Sequence, residues 1–548
     1  MNTVIAKQSL QTLNGAEITV RTLLDLELTS VFGYPGGIVL DLYDELYKNQ
    51  DKITHYLVRH EQAAVHAAEG YARVSGRCGV VLVTSGPGAT NTVTGIANAY
   101  LDGYPLLVIT GQVRADLIGR DAFQEVNILD ITKSCTKGGF QVTSVKDLAK
   151  TLVMAHKLAT SGKKGPVVVD ISKNVFGETT EFSETNKADF KQEEPLLTGL
   201  EIATGLKLLM SAKSPLIIAG GGVTQSKCTE ELVKFSNLMN VPVVSTMMGV
   251  GAYPANSENF LGMIGIFGEE RANFAIRNSD VILSLGARLN DRITGCFGEG
   301  ELDDKIIQTD INPSEIGRNF SPAIGIVGDA KRVLAQMIAG LTGNGYEPNC
   351  GKWWLNLPSK KKNAGTSGGI TTGMAVRTIS RLSEEGRYYV TAEVGQHQVT
   401  TAREYGFKFG GQFIASCGSG TMGFGLPAAI GASIANNRRP VICIAGDGSF
   451  QMNEQELATI VRYDLPVKIF IMNNGYLGMV RQLQEKSCGG RYYETEISNP
   501  DFVKLAQAYG INASRVERAE ELDERVRVAL NTEGCYIVDI STEPLEVV

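Results

Sequence analysis

The segment 446–474, GDGSFQMNEQELATIVRYDLPVKIFIMNN, puts a carboxylate and an amide where a cation could be held. A buried strand ends at Ala445, the Gly446-Asp447-Gly448 turn follows, a helix covers about 452–464, and a second buried strand ends at Asn473-Asn474. A right-handed crossover returns the second strand parallel to the first, so Asp447 and Asn474 both fall at carboxyl ends of strands and can face one site. Two such oxygens make a weak cage alone, but Mg²⁺ takes near-octahedral oxygen ligation completed by phosphates and water. The pair therefore points to a metal diphosphate. Gly446 and Gly448 let the backbone approach closely, and Ser449 opens a helix whose N-terminus favours anions.

Two further places carry residues suited to chemistry. Glu61 opens the alanine-rich stretch EQAAVHAAEGYARVSG (61–76), where a helix dipole favours an acid in the first turn. Gly220-Gly221-Gly222 follows the apolar run PLIIA, a weak match to a dinucleotide loop because triple-glycine turns are common. The 9 cysteines are dispersed and form no Cys-x-x-Cys pair or Cys/His cluster, the pattern a reducing compartment leaves.

These residues need a frame, and the chain supplies a repetitive one. Short β-branched runs alternate with longer amphipathic stretches almost throughout, the signature of parallel α/β sheets. Strands are expected at 78–85, 105–110 and 166–171, with helices at 61–76 and 145–162. A polar, acidic stretch without periodicity (177–195) follows, and the first linker is placed at 181–195. The next block has strands at 215–223, 242–246, 280–287 and 305–311 and a helix at 331–341; a second linker, 343–369, holds both tryptophans and the lysine triplet 360–362. The last block has strands at 388–395, 413–418, 440–448, 466–474 and 535–541. Three open, mainly parallel-sheet α/β domains result, at 1–180, 196–342 and 370–548, with ligands expected beyond the carboxyl ends of the strands.

Composition agrees with that frame. With 548 residues, 43% hydrophobic and 20% charged, the chain is neither disordered nor fibrous, and its 61 glycines show no Gly-X-Y period. A net charge of −7 without a large basic block argues against nucleic acid as a partner. No run reaches the ~18 apolar residues of a membrane span, and the N-terminus has no sustained apolar core of a signal peptide, so a cytoplasmic, bacterial-type protein is expected.

GDG, a βαβ unit and NN together resemble the thiamin diphosphate (ThDP) signature, and the rest of the chain is similar to acetolactate synthase (acetohydroxyacid synthase) catalytic subunits. The matching stretches are YPGG (34–37), RHEQAAVHAAEGYAR (59–73), TSGPGATNTVTGIANAYLD (84–102), ITGQV (109–113), DAFQE (121–125), GARLNDRITG (286–295), VGQHQ (394–398) and GTMGFGLPAAIGA (420–432). The resemblance implies a pyrimidine-binding first domain, a central FAD-binding-type domain, and a diphosphate- and Mg²⁺-binding third domain. It implies a transferase that decarboxylates pyruvate on ThDP and joins the hydroxyethyl carbanion to a second 2-keto acid. The product is 2-acetolactate, or 2-aceto-2-hydroxybutyrate, in branched-chain amino-acid biosynthesis.

By the same resemblance, Glu61 bonds the aminopyrimidine of ThDP and shares a proton with it, and Met422 props the cofactor into a bent shape within a loop begun by Gly420. Gln396 and His397 contact the diphosphate with Gly446, Gly448 and Ser449. Asp447, Asn474 and the carbonyl of Tyr476 ligate Mg²⁺. Gly36 and Gly37 approach the reacting carbon, Phe123 and Gln124 line the substrate channel, and Met479 and Leu483 belong to the acceptor pocket. Arg292 pairs with the carboxylate of the second keto acid, a task for a guanidinium fork. Structural FAD is implied at Gly220, Gly221, Gly222, Gly286, Arg288, Asn290, Asp310, Ile311, Asp329 and Ala330. A homodimer or homotetramer is implied, and a small regulatory subunit is left open.

Four departures from the family pattern qualify this. Leu483 stands where biosynthetic members usually carry tryptophan, Gly138-Gly139 follow Lys137, Ile266-Phe267 replace Met-His, and the sequence ends at STEPLEVV where relatives continue into a tail over the active site. Two alternatives stay open: another ThDP-dependent 2-keto acid carboligase or decarboxylase, and a nucleotide-binding regulatory protein without turnover.

Overall fold

A computed structural model describes residues 11–183, 197, 199–298, 300–343, 348, 350–359, 368–383 and 388–548. The described chain holds three six-stranded sheets, mainly parallel, and divides into two compact units. One unit comprises residues 1–193, 418–441 and 449–467; the other comprises 194–417, 442–448 and 468–548. Among the described residues no helix is long and apolar enough to cross a membrane.

The sheet of the first unit runs Thr54–Leu57, Ser30–Tyr34, Gly79–Val83, Leu106–Gln112, Pro166–Ser172, Gly138–Val142, every neighbour parallel. Its strands Gly79–Val83, Leu106–Gln112 and Pro166–Ser172 are buried along their whole length. That is why they read as uninterrupted apolar runs, not alternations. Two helices of the same unit, Glu61–Ser75 and Gly425–Ala435, cross backbone to backbone: a Cβ on Gly70 would overlap Ala428 O, and one on Gly431 would overlap Ala67 O. The stretch expected to be a linker contributes Thr179–Phe182 as a strand, antiparallel to Gln11–Asn14.

The second unit holds the other two sheets. One runs Phe260–Met263, Val243–Ser245, Pro215–Ala219, Val281–Leu285, Ile306–Asp310, Ile324–Val327, all parallel. The other runs Phe413–Ala415, Tyr389–Ala392, Val441–Gly446, Val467–Asn473, Tyr536–Ser541, Asn512–Val516. The second expected linker is also structured in part. Gly351–Asn356 is a helix whose Trp353 is buried in the core around the sheet that includes Pro215–Ala219, with its Nε1 donating to Pro215 O at 3.0 Å. The lysine triplet 360–362 lies outside the described residues.

In each sheet the strand order reverses once near the middle. The chain leaves Ser30–Tyr34 towards one edge and returns on the other side at Gly79–Val83; the same reversal separates Pro215–Ala219 from Val281–Leu285, and Tyr389–Ala392 from Val441–Gly446. At such a point the two following loops turn in opposite directions and leave a crevice.

Candidate active site

The reversal points are where the candidate residues gather. In the first unit, Gly36 follows one flanking strand and Thr84 the other, and a Cβ on Gly36 would stand 2.5 Å from Thr84 Cβ; Gly37 has open space beside it. Thr84 Oγ1 is buried with no hydrogen-bond partner among the described residues. Gln124 packs beside Gly86 and holds φ at 62°, a conformation costly for a residue with a Cβ, while Phe123 is 87% exposed.

Glu61 is the first residue of its helix. His60 caps that helix by accepting from Gln62 N at 3.2 Å, and Gly76 ends it in the left-handed region. Asn91 Nδ2 donates to Glu61 Oε2 at 2.9 Å. Buried Glu456 accepts from the amides of Arg59 and His60 at 2.8 and 3.1 Å, tying down the chain just before Glu61. Behind this helix, Arg73 joins Glu69 and Asp102 at 2.5 Å each, all three side chains buried. Burial lifts the Glu69 carboxyl to about 7 despite the guanidinium beside it. The cluster also holds the loop leading to Met422, because Asp102 accepts from Gly418 N at 2.7 Å and Asn98 from Thr421 Oγ1 at 3.0 Å. Met422 is half-buried between Gly420 and Gly423, both at positive φ.

In the second unit the GDG turn meets two other loops. Asp447 is 2% exposed and accepts from Gly448 N at 2.9 Å, Gly475 N at 2.7 Å and Asn499 Nδ2 at 2.8 Å; burial pushes its carboxyl up against those bonds. Asn474 Oδ1 accepts from Tyr476 N at 3.0 Å, so the turn carrying Asn474 and the Tyr476 carbonyl lies against Asp447. Gln396 and His397 begin the helix Gln396–Glu404. A Cβ on Gly446 would stand 2.9 Å from His397 Nδ1, and one on Gly478 would stand 2.9 Å from Asn474 Nδ2. Burial lowers His397 to about 4, so its ring is neutral near pH 7. The Nε2 of that ring is buried and has no hydrogen-bond partner among the described residues.

The helix expected at 452–464 is shorter than its pattern. A four-residue helical turn, Asp447–Phe450, comes first, and the helix proper is Leu457–Tyr463. Asn453 interrupts them, its side chain donating to Gly423 O at 2.7 Å. Ser449, in the short turn, is 4% exposed. Met479 and Leu483 lie on the helix Gly478–Cys488, Met479 half-buried and Leu483 48% exposed. The last residues fold back here: Gln396 Nε2 donates to Glu546 O at 2.7 Å and Gln482 Nε2 to Val548 O at 2.8 Å.

At the central crevice two glycine turns pack against each other. Gly222 N donates to Gly286 O at 3.0 Å, and a Cβ on Gly286, whose φ is 58°, would stand 2.5 Å from Gly222 Cα. Those glycines are required by backbone against backbone before any nucleotide is considered. Asp329 caps the helix after it, accepting from Lys331 N at 3.0 Å and Ser226 Oγ at 2.6 Å, and Ala330 is core. Asp310 Oδ1 accepts from Asn312 N at 2.8 Å, and Ile311, Arg288 and Asn290 are half-buried. The buried hydroxyls of Thr224, Ser245, Ser284 and Thr309 have no partner among the described residues. Arg292 is exposed and makes no ion pair among them.

Three family models for thiamine pyrophosphate enzymes match in order: the N-terminal TPP binding domain at 13–134, the central domain at 202–337 and the C-terminal TPP binding domain at 393–540. The acetolactate synthase large subunit of Haemophilus influenzae is 42% identical over 547 residues, covering 97% of this chain and 95% of that one. The chain belongs to the acetolactate synthase large-subunit family. Two relatives from Escherichia coli agree: the isozyme 3 large subunit is 42% identical over 95% of this chain and 93% of its own length, and the isozyme 2 large subunit 38% identical over 97% and 96%. Membership makes this a ThDP-dependent enzyme that forms carbon–carbon bonds, with three family domains built on parallel sheets.

Hydrogen bonds of the structure bring in residues that sequence patterning missed. Asn91 and Asn499 touch Glu61 and Asp447 from 30 and 52 positions away, and Glu456 holds the amide of His60, just before Glu61, from 396 positions away, separations at which no local period exists. TSGPGATN and the NP pair after EIS were the only signals near two of them.

Proposed function

We propose that this protein condenses two 2-keto acids, pyruvate as donor and a second pyruvate as its principal acceptor, to give 2-acetolactate. The observation that carries the reading is the presence in one chain of a candidate diphosphate and cation cradle in one unit and, in the other, a positioned carboxylate at the head of an alanine-rich helix. ThDP fits the cradle: in the tautomer that protonates Nε2, the partnerless buried Nε2 of neutral His397 would donate to a phosphate oxygen beside Gln396 and Gly446, and Gly448 and Ser449 would add further contacts. Mg²⁺ fits as well. Among the described residues no three His, Cys, Asp or Glu side chains gather for a metal, so Asp447, Asn474 and the Tyr476 carbonyl would need phosphate oxygens to complete an octahedron. ThDP supplies the electron sink for decarboxylation and transfer of the two-carbon unit.

The chain's own groups do the rest. Glu61, held by Asn91 and by the Glu456 clamp on the preceding amides, would hold a proton at the pyrimidine ring nitrogen. Met422, on its anchored loop, would shape the bound cofactor. Arg292 presents an exposed guanidinium for the acceptor carboxylate, Phe123 and Gln124 would line the path to it, and Gly36 and Gly37 would leave room at the reacting carbon. FAD, as a structural group, would lie against the central crevice, where the four partnerless hydroxyls give it donors. The boundaries 1–180, 196–342 and 370–548 would then separate pyrimidine, flavin and diphosphate domains. A homodimer or homotetramer, joined by a small regulatory subunit, follows the large-subunit family.

Incubation with pyruvate, Mg²⁺, ThDP and FAD tests this, each omitted in turn. Acetolactate is expected only with ThDP and Mg²⁺, and Glu61→Gln is expected to lose about 10²–10⁴-fold in rate while still taking up ThDP in calorimetry. No acetolactate from the fully loaded protein would overturn the reading.

A further inference from the structure

The cation site has a support that lies outside its sequence motif. Asn499, in the loop before the helix Phe502–Ala508, donates from Nδ2 to Asp447 Oδ2 at 2.8 Å and to Asn473 Oδ1 at 2.9 Å. A carboxamide nitrogen carries two hydrogens and accepts nothing, so one atom makes both bonds. Asn473 in turn donates from Nδ2 to Asp539 Oδ1 at 2.9 Å, and Arg515 Nε donates to Asp539 Oδ2 at 2.9 Å. Arg515 also reaches Asp501, whose carboxylate caps Phe502–Ala508. Asp539 is fully buried in the middle of Tyr536–Ser541.

The direction of this chain of bonds is set at its far end. A guanidinium can only donate and an ionised carboxylate can only accept, so Asp539 requires Asn473 to turn its nitrogen inward and its oxygen towards Asn499. Asn499 must then offer its nitrogen to that oxygen, and the same nitrogen meets Asp447. Turning over either amide would bring oxygen against carboxylate or nitrogen against nitrogen. The loop 497–501 is itself tied to the site, Ile497 N donating to Gly475 O at 2.9 Å.

We infer that Asp539, Asn473 and Asn499 form a positioning relay that fixes the rotamer of Asp447 and thereby sets the affinity of the site for Mg²⁺. The inference rests on the reading of Asp447 as a ligand. Outer partners of metal ligands are worth 10–100-fold in affinity, because a carboxylate free to rotate must be re-ordered at each binding event.

The test is uptake of ThDP by the full-length protein, followed by equilibrium dialysis over a series of Mg²⁺ concentrations. Asn499→Ala, Asn499→Ser and Asp539→Asn are compared with the unsubstituted chain, and thermal melting is recorded in metal-free buffer. For Asn499→Ala the Mg²⁺ concentration at half-maximal uptake is expected to rise about 10–100-fold. Serine, which carries one hydrogen, is expected to show a smaller rise, and Asp539→Asn, which lets Asn473 adopt either orientation, a rise as well. Melting separates the two roles, since a purely structural residue would lower the melting temperature and leave the Mg²⁺ requirement unchanged. A Mg²⁺ requirement within twofold of the unsubstituted protein for both Asn499 variants overturns the relay. Uptake by the unsubstituted protein that ignores Mg²⁺ overturns instead the reading of Asp447.

Discussion

In the proposed acceptor pocket, Leu483 is the residue with the clearest expected consequence for substrate choice. It lies 48% exposed on Gly478–Cys488, at the position where the resemblance implies a tryptophan in biosynthetic members. A smaller side chain removes apolar contact with the additional methyl of 2-ketobutyrate, worth about 1–3 kcal/mol per methylene. Leu483→Trp is therefore expected to raise the preference for 2-ketobutyrate over pyruvate about 10–200-fold in a competition assay that quantifies both products. An unchanged product ratio would remove Leu483 from the acceptor pocket. The residues legible in the sequence, Asp447, Asn474, His397 and Glu61, sit in short motifs with their neighbours. Asn499, Glu456 and Asp539 were not legible, because each is defined by a partner brought near only by the sheet. Glycine shows the limit differently: the resemblance set Gly222 and Gly286 against a flavin, whereas each is pressed against the other's backbone, and Gly431 against Ala67 O.

Among the elements, the crossing of Glu61–Ser75 with Gly425–Ala435 does most to hold the first unit's candidate residues, since one helix begins at Glu61 and the other follows Met422 directly. The backbones meet at Gly70 and Gly431, with no room for a methyl group. Gly431→Ala is expected to force the helices apart and cost about 1–3 kcal/mol in urea unfolding. Unfolding midpoints equal to the unsubstituted protein would show that the crossing can relax. Most buried central strands were found from sequence because both their faces are apolar, as in Gly79–Val83, although the interior strand Ser30–Tyr34 was missed. The edge strands Thr54–Leu57, Gly138–Val142, Phe260–Met263, Ile324–Val327 and Asn512–Val516 were missed. Each is four or five residues long and partly exposed, so neither an apolar run nor a clean alternation marks it.

For the molecule as a whole, stability near neutral pH is a balance of opposed buried groups. Burial holds His55 and His397 at about 4 and His66 at about 3, below the ordinary 6.5. Each contributes stability that is present above pH 6.5 and lost as pH falls towards the folded value. Asp170 at about 6 and Glu69, also raised by burial, act oppositely, contributing stability below their ordinary 3.8 and 4.5 that is lost as pH rises through the raised values. Replacing one histidine exposes its share. His66→Gln is expected to lose about 2 kcal/mol less than the unsubstituted protein between pH 7 and pH 5, measured by urea unfolding at each pH. Equal losses would mean that His66 titrates normally.

Each of the three six-stranded sheets has one such reversal point, and the proposed function assigns the pyrimidine, flavin and diphosphate sites to them in chain order. That arrangement supports condensation only if the two-carbon unit released from pyruvate is captured before it is lost as aldehyde. The direct measurement is the ratio of acetolactate formed to CO₂ released from pyruvate by the fully loaded protein. One acetolactate for each CO₂ is predicted; CO₂ accompanied by an equal amount of acetaldehyde and no acetolactate would contradict the account.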